Sequence, residues 1–417
     1  MLRRGKKFLE RAAQAYDKGG IANILEGAPK FARERLPVGL WPPLLIDQRH
    51  AADAAVTLPE KPSLDVAFDG WVHDAAPRQL ANFEGRISSP ENAVYVFEGA
   101  DVAGRNPVAH VDGKALLPSW FGVDSAFFLH QNMFLKRNYP LSRAARRAVA
   151  EPKPSRRLES GFLLLTERGS GRYGWFHETL PKLQWYEEYC ELTGESPVLI
   201  LNSPASPFQR KTLRWMGYDP DDWLEHGDEV TRVGRLVVAP HPVRLEGNPS
   251  RGFASEPGWA GERIRSNVPE VDAEFSERVY VSRADADRRR VRNEREVLDV
   301  LEPRGFERYE PGRLSLTEQV TLFANAETVV GLHGLAYYNL MFCTRGMRLV
   351  ELFAEDGVDE SYFVAANELD MPYEYMECEP VDTWKHQRPI NRDVVVDTDR
   401  LETIVDAMLL ERPVASD

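Results

Sequence analysis

From residue 160 onward, short apolar runs alternate with longer stretches whose apolar positions recur every three or four residues. The runs predict strands at Phe162–Leu165, Val198–Leu201, Leu236–Ala239, Val279–Ser282, Thr328–Gly331 and Arg348–Leu352. The intervening stretches predict helices near 175–193, 206–216, 256–267, 293–302, 315–324 and 335–342. Strands that are apolar throughout, without alternation, imply a parallel sheet covered on both faces, and their spacing suits βαβ units. Ahead of this rhythm, residues 92–118 alternate instead, as short strands with turns at Gly99, Gly104 and Gly113 do. Residues 37–90, opening on Pro37 to Pro43 and rich in Pro, Ala and Asp to about residue 62, read as a linker or extended arm. The polar stretch Asn248–Gly258 divides the remainder into an α/β half at 91–257 and a Rossmann-like half at 258–417.

Charge changes the picture at the N-terminus. The chain of 417 residues carries a net charge of −13, yet residues 1–36 hold nine Lys/Arg against four acids. Leu2, Phe8, Leu9 and Ala12 fit one face of a helix, and Ile21, Ile24, Leu25 and Phe31 another. A basic amphipathic segment of this kind suits the anionic surface of a membrane, and equally suits docking on the acidic body. The acidic, lysine-poor remainder is of a salt-adapted, halophilic type and argues against nucleic acid, whose binders show a basic footprint. Three cysteines without a Cys-x-x-Cys pair suit a reducing cytoplasm and give no zinc motif. No apolar window is long enough to span a bilayer, and the N-terminus lacks the apolar core of a signal peptide. The expected location is cytoplasmic, with peripheral contact at the inner face of the membrane.

Candidate chemistry concentrates in residues 331–353. The turn Gly331-Leu-His-Gly334 follows an apolar strand and opens a helical stretch, and a second strand with Glu351 inside it comes next. Strand, tight turn and helix together offer backbone N–H groups and a positive helix end to an anion such as a diphosphate, and a histidine in the turn can donate to phosphate oxygens. Upstream, Ser282-Arg283 ends another strand, where ligands of open α/β sheets lie, and Arg288, Arg289 and Arg290 add positive charge. A guanidinium there clamps phosphate oxygens in a bidentate way. Asn293-Glu294 opens the next helix, with Asn293 a candidate cap. Further back lies Gly171-Arg-Tyr-Gly-Trp-Phe-His-Glu-Thr-Leu-Pro181, which places His177 and Glu178 early in a predicted helix.

These three runs, in this order and over roughly residues 90–380, resemble glycosyltransferase family 61. The family pattern reads Tyr-x-His-Trp-x-x-Asp/Glu-x-Leu-Pro, then Ser-Arg with arginines and Asn-Glu, then Gly-x-His-Gly-Ala-Gly-x-x-Asn. The resemblance implies the GT-B arrangement, two facing Rossmann-like domains with a cleft between them. It implies an inverting transferase that moves a sugar from a nucleotide-sugar donor, commonly UDP-linked, to a hydroxyl of a polysaccharide, glycolipid or glycoprotein. Ser282, Arg283, Arg288, Asn293, Glu294, His333, Gly334, Asn339 and Glu351 fall on the donor side. Glu178 and His177 are the candidates for the base that takes the acceptor's proton. No cofactor or metal is expected. Asp285-Ala-Asp287 has the spacing of a metal-binding pair, but five arginines surround it and supply the same neutralising charge. Three departures stand out: Gly174 replaces the family histidine before Trp175, Gly334-Leu-Ala336 replaces Gly-Ala-Gly, and Arg345-Gly346 replaces Pro-Gly. Gly174 supports the alternative of a catalytically inactive carbohydrate- or nucleotide-binding protein of the same fold.

Overall fold

The computed structural model describes residues 45–47, 52–59, 64–82, 84–88, 93–104, 107–112, 114–117, 154–164, 169–227, 229–239, 244–245, 257–355, 357–381 and 389–410. The basic segment 1–36 lies outside the described residues.

The first half contributes strands β1 (Leu45–Asp47), β2 (Ala54–Thr57), β3 (Leu64–Val66), β4 (Gly85–Ser88), β5 (Ala93–Ala103) and β6 (Val108–Val111). It continues with β7 (Lys114–Leu117), β8 (Arg156–Leu163), β9 (Val198–Asn202), β10 (Trp223–His226), β11 (Val230–Val238) and β12 (Arg244–Leu245). The second half contributes β13 (Arg278–Val281), β14 (Glu307–Tyr309), β15 (Thr328–Leu332), β16 (Arg348–Ala354), β17 (Tyr373–Val381) and β18 (Asp393–Val395). The helices are α1 (Arg78–Ala81), α2 (Lys182–Thr193), α3 (Pro207–Trp215), α4 (Pro257–Asn267), α5 (Glu294–Leu301), α6 (Leu316–Asn325), α7 (Ser361–Glu368) and α8 (Thr398–Leu410).

The fold class is α/β, with parallel strands in both halves. In the second half the order is β14-β13-β15-β16-β17-β18, parallel except for the antiparallel edge strand β18. Every residue of β15 and β16 is buried, as a sheet covered on both faces requires. One face packs on α5 and α8 through Tyr280, Val297, Leu301, Val350, Ile404 and Met408. The sheet of the first half is mixed. Strands β11, β8, β9 and β10 run parallel, while β5, β6 and β2 pair antiparallel beside them.

The strands expected from residue 160 onward are present, but β11 begins at Val230 rather than Leu236; Gly99, read as a turn, lies inside β5, and residues 45–88, read as an arm, supply β1 to β4 and α1, with β2 paired to β5. Two further differences are instructive. Strand β8 starts at Arg156 rather than Phe162, because Arg156 and Arg157 pair with Thr231 and Arg232 on β11 before the apolar part begins. Strand β17, Tyr-Glu-Tyr-Met-Glu-Cys-Glu, carries too many acids to read as buried, yet Glu374 within it is buried. Its carboxylate accepts from the backbone N–H groups of Val72 (2.8 Å) and Tyr375 (2.9 Å) and from the His73 ring (2.8 Å). The charge is absorbed by chain from far away in sequence.

Pro257, read from sequence as a boundary, begins α4, and this helix touches both halves. It packs on α3 on one side and on α6, α7 and residues 335–342 on the other. Gly261 allows the approach: a Cβ there would lie 2.8 Å from the carbonyl carbon of Met341 and closer still to its oxygen. One continuous apolar cluster therefore runs from Phe162, Trp175 and Leu199 in the first half to Val281, Val329 and Phe363 in the second.

Candidate functional site

The parallel register brings Val281, Gly331 and Glu351 side by side across β13, β15 and β16. Arg283 and His333 thus leave the sheet together, each two residues beyond that row, at its carboxyl edge. Gly334 is extended (φ 178°), so its need for glycine is one of space. A Cβ at Gly334 would lie 2.7 Å from Arg283 Cζ and 3.3 Å from its Nε. The guanidinium rests on the backbone of the His333-Gly334 turn.

A loop holds Arg283 there. Its Nε donates to the Arg289 carbonyl (2.9 Å) and its Nη2 to the Arg288 carbonyl (3.4 Å). Arg289 itself is in the left-handed region (φ 57°), and its guanidinium donates to Asn391 Oδ1 at 3.2 and 2.9 Å. Burial lowers the Arg283 guanidinium, partly offset by Asp285. Burial, then the charges of Arg283 and Arg288, pushes Arg289 down to about 10. Crowded, desolvated guanidinium groups of one sign are stabilised by any anion placed among them. Arg288 is exposed and serves the loop through its carbonyl. Arg290 and Arg292 have internal partners: the backbone N–H of Arg290 and the guanidinium of Arg292 both bind Asp393 of β18 (2.9 and 2.6 Å), and Arg290 Nε donates to the Ala286 carbonyl.

His333 sits on a second buried network. Its Nδ1 lies 2.6 Å from Glu351 Oε1, and Tyr373 donates its hydroxyl to Glu351 Oε2 at 2.9 Å. Burial raises the Glu351 carboxyl, opposed by the bond to His333. Phe353 stacks on the His333 ring at 5.3 Å between centroids, and Tyr362 of α7 lies 5.4 Å away. Tyr362 is the hub of the site. It neighbours Tyr337 at 5.3 Å, Tyr173 at 6.1 Å and His177 at 6.4 Å, and Asp359 and Arg289 act on its hydroxyl electrostatically.

The first half reaches this hub through residues 171–181. In place of the uninterrupted helix read from sequence, residues 174–179 form a π-turn, closed by the Leu180 N–H on the Trp175 carbonyl at 2.9 Å. Helix α2 starts only after Pro181. The wider turn is fixed by packing on both sides. Trp175 donates Nε1–H to Thr212 (2.9 Å) and Phe176 stacks on Tyr338 (4.8 Å). Arg172 donates to the Tyr338 hydroxyl (2.6 Å). His177 Nε2 lies 3.1 Å from the Tyr338 carbonyl. A carbonyl only accepts, so Nε2 carries the proton and Nδ1 keeps its lone pair. Burial pushes His177 down to about 4, with the Tyr338 carbonyl and Glu178 opposing. Glu178, beside it, is fully buried.

The residues chosen from sequence therefore separate into two groups. Arg283, His333 and Gly334 meet at one point, with His177 approaching across Tyr362. Ser282, Asn293, Glu294, Asn339 and Glu351 are turned to internal partners, whereas Arg288 is exposed and Glu178 is buried beside His177. Ser282 donates to Glu294 Oε1 (2.6 Å), and Glu294 Oε2 faces Arg308 (3.3 Å). Asn293 exchanges two hydrogen bonds with the Val396 backbone (2.8 and 2.9 Å), tying α5 to the segment after β18. Asn339 donates to Gln319 (3.1 Å) and to the Ala336 carbonyl (2.9 Å). Residues 335–342 take the tighter 3₁₀ form, where an ordinary helix was expected. Glu351, read from sequence as a contact for sugar or ribose hydroxyls, spends both oxygens on His333 and Tyr373. Tyr362, Tyr173, Tyr373 and Arg289 as an inward-facing group were missed. Nothing local in sequence marks a tyrosine that meets the site only through folding. Asp285 and Asp287 are exposed, and among the described residues no group of three or more His, Cys, Asp or Glu is placed to hold a metal.

Fold and site define a class: an α/β protein that brings arginine and histidine side chains together at the carboxyl ends of parallel strands. The family model described as Glycosyltransferase 61 matches residues 173–350, the stretch that supplies Tyr173, His177, Glu178, Arg283, Arg289 and His333. Over this region the chain is similar to glycosyltransferase family 61, a family that implies glycosyltransferase activity with a nucleotide-sugar donor and a glycan acceptor. No curated protein matches the chain.

Proposed function

We propose that this protein is a glycosyltransferase that moves a sugar from a UDP-linked donor to a hydroxyl of a surface polysaccharide, glycolipid or glycoprotein, with inversion and without a metal. The observation that carries the reading is the contact of Arg283 with the His333-Gly334 turn, beside Arg289, at the carboxyl edge of the parallel sheet. Diphosphate oxygens placed there would take charge-assisted hydrogen bonds from both guanidinium groups and from His333 Nε2, supplying the neutralising charge that other transferases draw from a cation. Residues 258–417 would hold the donor and 91–257 the acceptor, in a GT-B arrangement. As the anomeric carbon leaves the diphosphate oxygen, the acceptor oxygen adds from the opposite face and its proton passes to a base. His177 stays neutral and weakly basic, which favours the Glu178 carboxylate for that role. The segment 1–36 would tether the cytoplasmic enzyme to the inner membrane face, bringing lipid-carried acceptors within reach.

A thermal-shift panel of nucleotide sugars and free nucleotides tests the donor class, because ligands that bind only the native state raise its melting temperature. UDP and UDP-sugars should stabilise the chain; a flat response across the panel would overturn the reading. Slow release of UDP from a bound donor separates a working enzyme from an inactive binding protein, and Glu178→Gln should abolish turnover while leaving UDP affinity intact.

A further inference from the structure

We propose that Glu351 and Tyr373 form a buried positioning relay for His333, and that this relay couples nucleotide-diphosphate binding to uptake of one proton by the His333–Glu351 pair. The inference rests on the donor-site reading above and adds to it how the site is held and how pH regulates it.

Geometry excludes direct contact between Glu351 and a ligand. The residue is 0% exposed, one oxygen faces His333 Nδ1 at 2.6 Å, and the other accepts from Tyr373 at 2.9 Å. A carboxylate only accepts, so Nδ1–H points inward and Nε2 is the ring atom left for a phosphate oxygen. Phe353 and Tyr362 close on the ring, restricting its rotation. Glu351 can influence the reaction only by fixing the orientation and charge of His333.

The charges around the pair give the coupling its direction. Arg283 lies over Gly334, with Arg289 and Arg288 behind it. Asp359 and Tyr362 face the pair from α7 and the turn before it, Tyr337 from the 335–342 helix, and Tyr373 from β17. Tyr173 and His177 approach from the first half across Tyr362. Without an anion, the guanidinium groups of Arg283 and Arg289 beside the turn oppose another positive charge. A bound diphosphate cancels that field and adds an acceptor at Nε2. The pair then gains by taking a proton, which makes Nε2 a donor to the diphosphate and leaves a cation against the buried carboxylate.

Isothermal titration of the full chain with UDP, in paired buffers of different ionisation enthalpy across about pH 6–9, reads the proton directly. The wild type should show buffer-dependent heat approaching one proton taken up toward alkaline pH, with affinity falling by up to about tenfold per pH unit there. Glu351→Gln should bind UDP on the order of tenfold more weakly and lose the buffer dependence. Tyr373→Phe, which keeps shape and carboxylate, should retain proton uptake but shift the affinity profile to higher pH, because a carboxylate deprived of a donor becomes more basic. UDP binding without proton uptake at any pH would overturn the relay and leave the donor site standing. Absence of UDP binding would overturn both.

Discussion

Gly334→Ala isolates the contact on which the proposed donor site depends. The added methyl would sit 2.7 Å from Arg283 Cζ, whereas carbon atoms settle at roughly 3.5–4.0 Å, so the guanidinium must retreat by about 1 Å. Bidentate recognition tolerates roughly 0.5 Å of displacement, and the retreat also strains the bonds to the Arg288 and Arg289 carbonyls. Hydrogen bonds to a charged group contribute about 1.5–3 kcal/mol, which corresponds to about a ten- to hundredfold loss of UDP affinity. Stability should hardly move. The backbone at Gly334 is extended, which alanine adopts freely, and the obstructing atoms are the far end of a flexible side chain. Its change should stay within about 1 kcal/mol. Isothermal titration with UDP, paired with a melting curve, measures both. A cycle with Arg283→Ala completes the test: if Gly334 acts by seating Arg283, the double variant binds no more weakly than Arg283→Ala alone. Wild-type affinity in Gly334→Ala, or losses that add in the double variant, would refute the reasoning.

Other consequences concern stability as well as binding. His177 is held at about 4 in the folded chain against 6.5 unfolded, so between these values the unfolded state binds more protons and stability falls as pH drops. The loss reaches up to about 3 kcal/mol and should be absent from the melting profile of His177→Gln. Gly261→Ala drives a methyl into the Met341 backbone and should destabilise the chain by about 1–3 kcal/mol or more, seen as a lowered midpoint in urea. Asn293→Ala removes both bonds to Val396 and should lower stability by about 1–3 kcal/mol with UDP affinity unchanged; a selective loss of affinity would return Asn293 to the donor site. Turnover should persist in EDTA. Its loss, restored by Mg²⁺ or Mn²⁺, would move the neutralisation of the diphosphate from the arginines to a cation held by Asp285 and Asp287.

Much of the second half was legible because its strands are buried on both faces, and burial writes itself as unbroken apolar runs such as Thr328–Gly331. The meeting of the glycine-flanked His333 and the strand-ending Arg283 was legible because each follows the end of a predicted parallel strand of one sheet. Tertiary structure decided the rest. Register placed Arg283 against Gly334, and the two are about fifty residues apart in sequence. A left-handed residue turned Arg289 inward and left Arg288 outside, a choice that a run of identical side chains cannot encode locally. Glu351 looked available to a sugar until Tyr373, from a strand hidden by its own acids, took its second oxygen. Hydrophobic periodicity reports which face of an element is covered. Only the packing of distant elements determines which polar group meets which, because one short contact between side chains far apart along the chain settles it.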